Sequence, residues 1–70
     1  MVKKLTARED LVGRASSMRT LLETLELELD KFVEQGIKAA SPRARKVLKD
    51  IKDNAHVMRA LISEIRNEKE

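Results

Sequence analysis

Residues 33–46 read VEQGIKAASPRARK, and this stretch holds Gly36 and Pro42, the two breakers between two long apolar ladders. Upstream, apolar residues recur at Leu11, Ala15, Met18, Leu22, Leu25, Leu29 and Phe32. Downstream they recur at Ala44, Leu48, Ile51, Ala55, Met58, Ile62 and Ile65. Both ladders alternate steps of four and three, the spacing that holds one stripe of a helix against a partner helix. Glycine can take the left-handed conformation that stops a helix, and proline fits a helix's first turn, where its missing amide is no loss. The pattern predicts an all-α chain, with a first helix over about residues 6–35, a turn at 36–41 and a second helix over about 42–67. A connection this short makes the helices antiparallel neighbours. The expected fold is a single helical-hairpin domain over 1–70.

Local signals support these bounds. Thr6-Ala7-Arg8-Glu9 has the form of a capping box, in which the hydroxyl accepts from the third helical amide and the glutamate reaches back to the cap. Residues 1–5 are then a short basic arm, and the charged tail after Asn67 frays. Ser41 is expected to cap the second helix, with Pro42 at its first position. Gly13 falls on the outer face of the first helix, where glycine weakens a helix without ending it.

Seventy residues can bury little of their own surface, and two helices touching along one line bury less than most. Further apolar residues widen each stripe beyond what one seam needs: Val12, Leu21 and Val33 on the first helix, Val47 and Leu61 on the second. These five are expected to face a second copy, two hairpins packing as a four-helix bundle. Leu5 and Ile37 are expected to close its ends.

Several function classes fall away. The chain has no cysteine and one histidine, His56, so no metal-ligand set assembles. It carries no glycine-rich phosphate loop and no nucleophile elbow. The expected protein is therefore not an enzyme, with no cofactor, no metal and no small-molecule substrate. No apolar run approaches the roughly 20 residues of a membrane span. The opening Met-Val-Lys-Lys-Leu lacks the apolar stretch of a secretory leader. A cytoplasmic protein without a membrane partner is expected. One aromatic residue, Phe32, leaves nothing on which nucleic-acid bases could stack.

Charge carries the functional signal. Residues 6–35 hold four cations against seven carboxylates, and residues 41–66 hold seven cations against three. The densest cluster is Lys38, Arg43, Arg45, Lys46, Lys49 and Lys52, at the turn and the start of the second helix. Positive side chains at a helix N-terminus oppose its macrodipole, so helix stability did not choose them. Near the turn the first helix offers only Asp30 and Glu34 against six cations. The turn end is therefore expected to stay electropositive and to meet phosphates. The seven-residue column Arg45, Lys52, Arg59 and Arg66 is expected to be structural in its far half, pairing with carboxylates.

Val33 to Lys46 also resembles the hinge of small bacterial linker-histone-like nucleoid proteins, the group that includes the chlamydial histone-like proteins. Gly36, Lys38, Ala39, Ala40, Arg43, Arg45 and Lys46 fall on that pattern without a gap. These 70 residues depart from the pattern in two ways: they do not include the long lysine- and alanine-rich C-terminal tail that some members use for DNA, and the first helix is notably acidic. The resemblance implies DNA binding and chromosome compaction in the nucleoid; with the cation cluster, the expected contact is to the DNA backbone, sequence-tolerant, and bridging of two duplexes is expected only from dimer symmetry. A homodimer would carry two such contact sites. The competing expectation is a protein-interaction adaptor whose apolar groove receives a helix, in the manner of type III secretion needle co-chaperones. A small RNA-binding bundle is a third.

Overall fold

The computed structural model describes residues 6–68. The basic arm 1–5 with Leu5, and tail residues 69–70, lie outside the described part. Two helices, α1 (Ala7–Val33) and α2 (Ala40–Asn67), pack against each other along their length. Cross-links from Arg8 to Glu68, Arg14 to Asn54 and Arg43 to Glu28 make the pair antiparallel. The hairpin measures 53 × 28 × 14 Å. An α-helix with its side chains is about 10–12 Å across. The smallest dimension is thus one layer of helices, and no described element lies above or below it.

The start of α1 follows from its cap. The Glu9 amide donates to the Thr6 hydroxyl oxygen at 3.1 Å, and the Thr6 amide donates to the Glu9 carboxylate at 3.1 Å. Both bonds of the capping box are made, and Asp10 adds a second carboxylate in the first turn. The helix ends at Val33 with Glu34 as its C-cap, and Gly36 takes φ 69°, the left-handed conformation its missing Cβ permits. The Ile37 amide then donates back to the Lys31 carbonyl at 2.9 Å.

The second helix starts two residues earlier than the Ser41 cap would put it. Ala39 is its N-cap, with no side-chain capping bond. The Ala40 amide donates to the Ile37 carbonyl and the Ser41 amide to the Lys38 carbonyl, each at 3.1 Å. These tight turns wind the chain before Ser41 is reached, and they bring Ala40 to complete burial. Pro42 becomes the third helical residue, still among the amides without an intrahelical partner.

The seam itself is offset by one residue from half of each apolar ladder. Leu11, Met18 and Leu25 of α1 and Ala44, Ile51, Met58 and Ile65 of α2 are covered. Between them, however, the covered positions are Arg14, Leu21 and Glu28 on α1 and Val47, Asn54 and Leu61 on α2. Leu21, Val47 and Leu61, expected to face a second copy, thus turn inward against the opposite helix. Their ladder neighbours Leu22, Leu48 and Ile62 are left 48%, 49% and 53% exposed.

The offset has a polar cause. Asn54, at 9% exposure, is the buried polar residue of the hairpin. Its Nδ2 donates to the Arg14 carbonyl at 3.0 Å, and its Oδ1 accepts from Arg14 Nη1 at 3.0 Å. Arg14 Nε is held in turn by Asp10 at 3.1 Å. A buried amide left unpaired costs about 1–3 kcal/mol. Sliding the helices by one heptad would set Asn54 opposite Ala7 or Leu21 and break both bonds. The clasp therefore fixes the register, and its two bonds are made only with Asn54, rather than Ala55, turned to the seam.

Two outcomes are expected. Asn54→Ala removes the acceptor of Arg14 Nη1 and the donor to the Arg14 carbonyl, and lowers the thermal midpoint by about 4 °C or more, corresponding to at least about 1 kcal/mol. Gly13→Ala raises it, because a Cβ at Gly13 meets nothing within 4 Å and alanine is about 1 kcal/mol better than glycine in a helix. Thermal unfolding followed by circular dichroism reads both.

Candidate nucleic-acid interface

The six cations of the turn cluster divide into two kinds. Three are held by carboxylates. Arg43 Nε donates to Glu28 Oε1 at 2.9 Å across the helices, and the Glu28 side chain is only 13% exposed. Lys46 donates to Asp50 at 3.1 Å and Lys49 to Asp53 at 3.0 Å, each one helical turn along α2. The hydrogen bond to Asp53, followed by its negative charge, raises the Lys49 ammonium above its ordinary pKa. A phosphate approaching Lys46 or Lys49 also approaches a carboxylate, so the net attraction at those positions is small.

The other three, Lys38, Arg45 and Lys52, are exposed and form no ion pair among the described residues. The acids that neutralise half of the cluster are not the expected pair near the turn, Asp30 and Glu34. They sit on α2 itself and at Glu28. The signal is present in the spacing: Lys46 and Lys49 each have an aspartate four residues on, whereas Arg45 and Lys52 have no carboxylate three or four residues away in either direction.

The same test picks out residues outside the cluster. Arg59 has no carboxylate three or four residues away, and neither it nor Arg66 makes an ion pair among the described residues. The expectation that this half of the column pairs with carboxylates finds no such contact within the described hairpin. A shallow groove on this side of α2 is lined by Lys52, Asp53, Ala55, His56 and Arg59. His56 is exposed in it, and the described residues form no cluster of metal-ligating side chains.

Beside the column lies an apolar face. Leu22 and Leu29 follow the seam residues Leu21 and Glu28 by one position on α1, and Leu48 and Ile62 follow Val47 and Leu61 on α2. The two helices are right-handed and antiparallel, so one step past the seam leads to the same side of the hairpin on both. Phe32, one heptad after the covered Leu25, and Ile37 in the turn are 42% and 39% exposed. Of the residues expected to meet a second copy, Val12 and Val33 are the exposed ones, at 71% and 67%.

A family model described as histone H1-like protein Hc1 matches residues 13–68. The chain belongs to that family. The match runs from Gly13 through the turn to Glu68 and so includes most of α1, all of α2 and every cation of the column. No curated protein and no solved structure matches the chain. Histone H1-like proteins are a non-catalytic, DNA-binding kind of nucleoid protein, and the hinge residues Gly36 to Lys46 that carry the resemblance lie inside the matched segment. The adaptor expectation, drawn from secretion co-chaperones, gains no support from the match.

Proposed function

We propose that this protein binds duplex DNA in the nucleoid through the phosphate backbone, without base preference, and that it does so as a homodimer. The observation that carries the first part is the division of charge at the turn. Lys38, Arg45 and Lys52 stand exposed and without carboxylate partners among the described residues, in a chain of the histone H1-like family. Cations free to rotate on a rigid rod neutralise phosphates and release condensed counterions, and that release supplies sequence-tolerant affinity. Arg43, Lys46 and Lys49 add to the patch only insofar as phosphates displace Glu28, Asp50 and Asp53.

The second part rests on the single layer. Leu22, Leu29, Leu48 and Ile62 line one side of a hairpin 14 Å thick, and no described element covers them. Contiguous apolar patches on soluble chains mark interaction sites. A second hairpin laid on this face gives an antiparallel four-helix bundle whose core continues both ladders. Such a dimer carries two cation sets, the arrangement that bridging two duplexes or compacting one requires.

Gel shifts on duplex DNA across a salt series test the first part. With three cations engaged per copy, log K falls with log salt with a slope of about −2.7 or steeper, so a fourfold rise in salt weakens binding about 40-fold or more. Lys38→Glu with Arg45→Glu abolishes binding while the helical signal stays. A binding constant indifferent to salt refutes the assignment, and preference for structured RNA over duplex DNA in competition redirects it. Light scattering tests the second part: wild type runs as a dimer, and Leu22→Asp or Ile62→Asp runs as a monomer. A wild-type monomer at high concentration removes the bundle.

A further inference from the structure

Arg45, Lys52, Arg59 and Arg66 recur every seven residues along one edge of α2. At 1.5 Å per residue they form a straight row about 31 Å long, with one cation about every 10.5 Å. The residues between them on the same stripe are Leu48, Ala55 and Ile62, so no acid interrupts the row. In the middle, Lys52, His56 and Arg59 wall one shallow groove floored by Ala55. The carboxylate there, Asp53, is already bonded to Lys49 at 3.0 Å.

A row of cations beside an apolar face could instead be an electrostatic seam for the second copy. The composition of the face argues against that. The corresponding heptad column of α1, beside Leu22 and Leu29, carries Val12, Arg19, Glu26 and Val33. One glutamate beside one arginine cannot cancel four cations. A hairpin packing its own α2 edge there would set like charges together. A partner's α2 edge adds cations and this α1 column adds no net charge, so against either the row keeps its charge at the rim of the interface.

We infer that this row is the DNA contact line: the duplex lies along α2, its phosphates meeting Lys38, Arg45, Lys52, Arg59 and Arg66, rather than being held at the turn alone. The inference rests on the DNA-binding reading above and extends it from the hinge to the far end of the helix. The groove at Lys52, His56 and Arg59 takes a phosphate, with two cations and an imidazole N–H converging on it. About 31 Å is close to one turn of B-DNA, whose rise is about 3.4 Å per base pair, so one copy covers about nine base pairs.

The test is the salt slope of binding to a random-sequence duplex, with the dimeric state and helical content of each variant checked alongside. Five engaged cations give a slope of about −4.5 where the hinge alone gives about −2.7. Lys52→Ala with Arg59→Ala flattens the slope by about 1.8. The charge-neutral double Lys46→Ala/Asp50→Ala leaves it unchanged. If Arg59→Ala and Arg66→Ala leave both affinity and slope at wild-type values, the row is not the contact line, although DNA binding through the hinge still stands. If the wild-type slope is flat, the DNA-binding reading itself has failed. The two failures are therefore separable in one series.

Discussion

The bond pair between Asn54 and the Arg14 carbonyl and guanidinium sets the rotation of both helices. Two long amphipathic helices can pack in several registers, because leucines and isoleucines meet almost equally well at each. One buried amide removes that freedom. It has a single position on α1 where both its donor and its acceptor are satisfied at 3.0 Å. Single polar residues in apolar seams fix register in coiled coils for the same reason, at some cost in stability. Here the cost is visible: Arg14, Glu28 and Asn54 occupy seam positions, and more apolar side chains are displaced from them.

That displacement generates the protein's outer surface. Because Asn54 turns inward, the stripe of Leu48, Ala55 and Ile62 leaves the seam, with Leu48 and Ile62 exposed and Ala55 half-buried. The flanking column of Arg45, Lys52, Arg59 and Arg66 is carried to the rim of the same side. The apolar face and the cationic row are consecutive stripes of one helix, so they cannot be rotated independently. Likewise Glu28, drawn into the seam, is placed where it can take Arg43 at 2.9 Å and remove that cation from the free set. The polar contact of Arg14 with Asn54 thus bears on which charges are paired internally and which are left unpaired.

Much of this was legible in the residues. The two helices, their antiparallel order, the Thr6–Glu9 capping box and the glycine stop at Gly36 follow from local chemistry, and local chemistry does not depend on what packs where. The family's hinge motif was legible too. The rotation was not, for a physical reason. Leu21 and Leu22 are adjacent and equally apolar, and a one-residue choice turns a helix by about 100°. Counting apolar residues favours the stripe through Leu22, Leu48 and Ile62, since the true seam includes an arginine, a glutamate and an asparagine. What that seam gains is hydrogen bonding between partners far apart in sequence, Arg14 with Asn54 and Glu28 with Arg43. The Ser41 cap failed similarly, because the turns at Ile37 and Lys38 had already started the helix. Within the cationic cluster the decisive signal was available at short range: an aspartate four residues after Lys46 and Lys49, and none at helical spacing from Arg45, Lys52 or Arg59.

Size joins the apolar face to the charge. A hairpin of this length offers few cations, and few phosphate contacts give weak binding at physiological salt. In the homodimer proposed above, a second copy covers the apolar face and two cationic rows share one rigid body. Once the first row is bound, the second meets DNA at a high effective concentration, and avidity exceeds either contact alone without any new interaction. Burial of Leu22, Leu48 and Ile62 then contributes to DNA affinity although none of them touches a phosphate. The acidic character of α1 fits the same scheme. Carboxylates on α1 repel the polyanion and turn the α2 side of each hairpin toward it. In the proposed assembly the exposed apolar stripe serves self-association and the unpaired stripe serves DNA. The inward turn of Asn54 keeps those two stripes side by side and out of the seam.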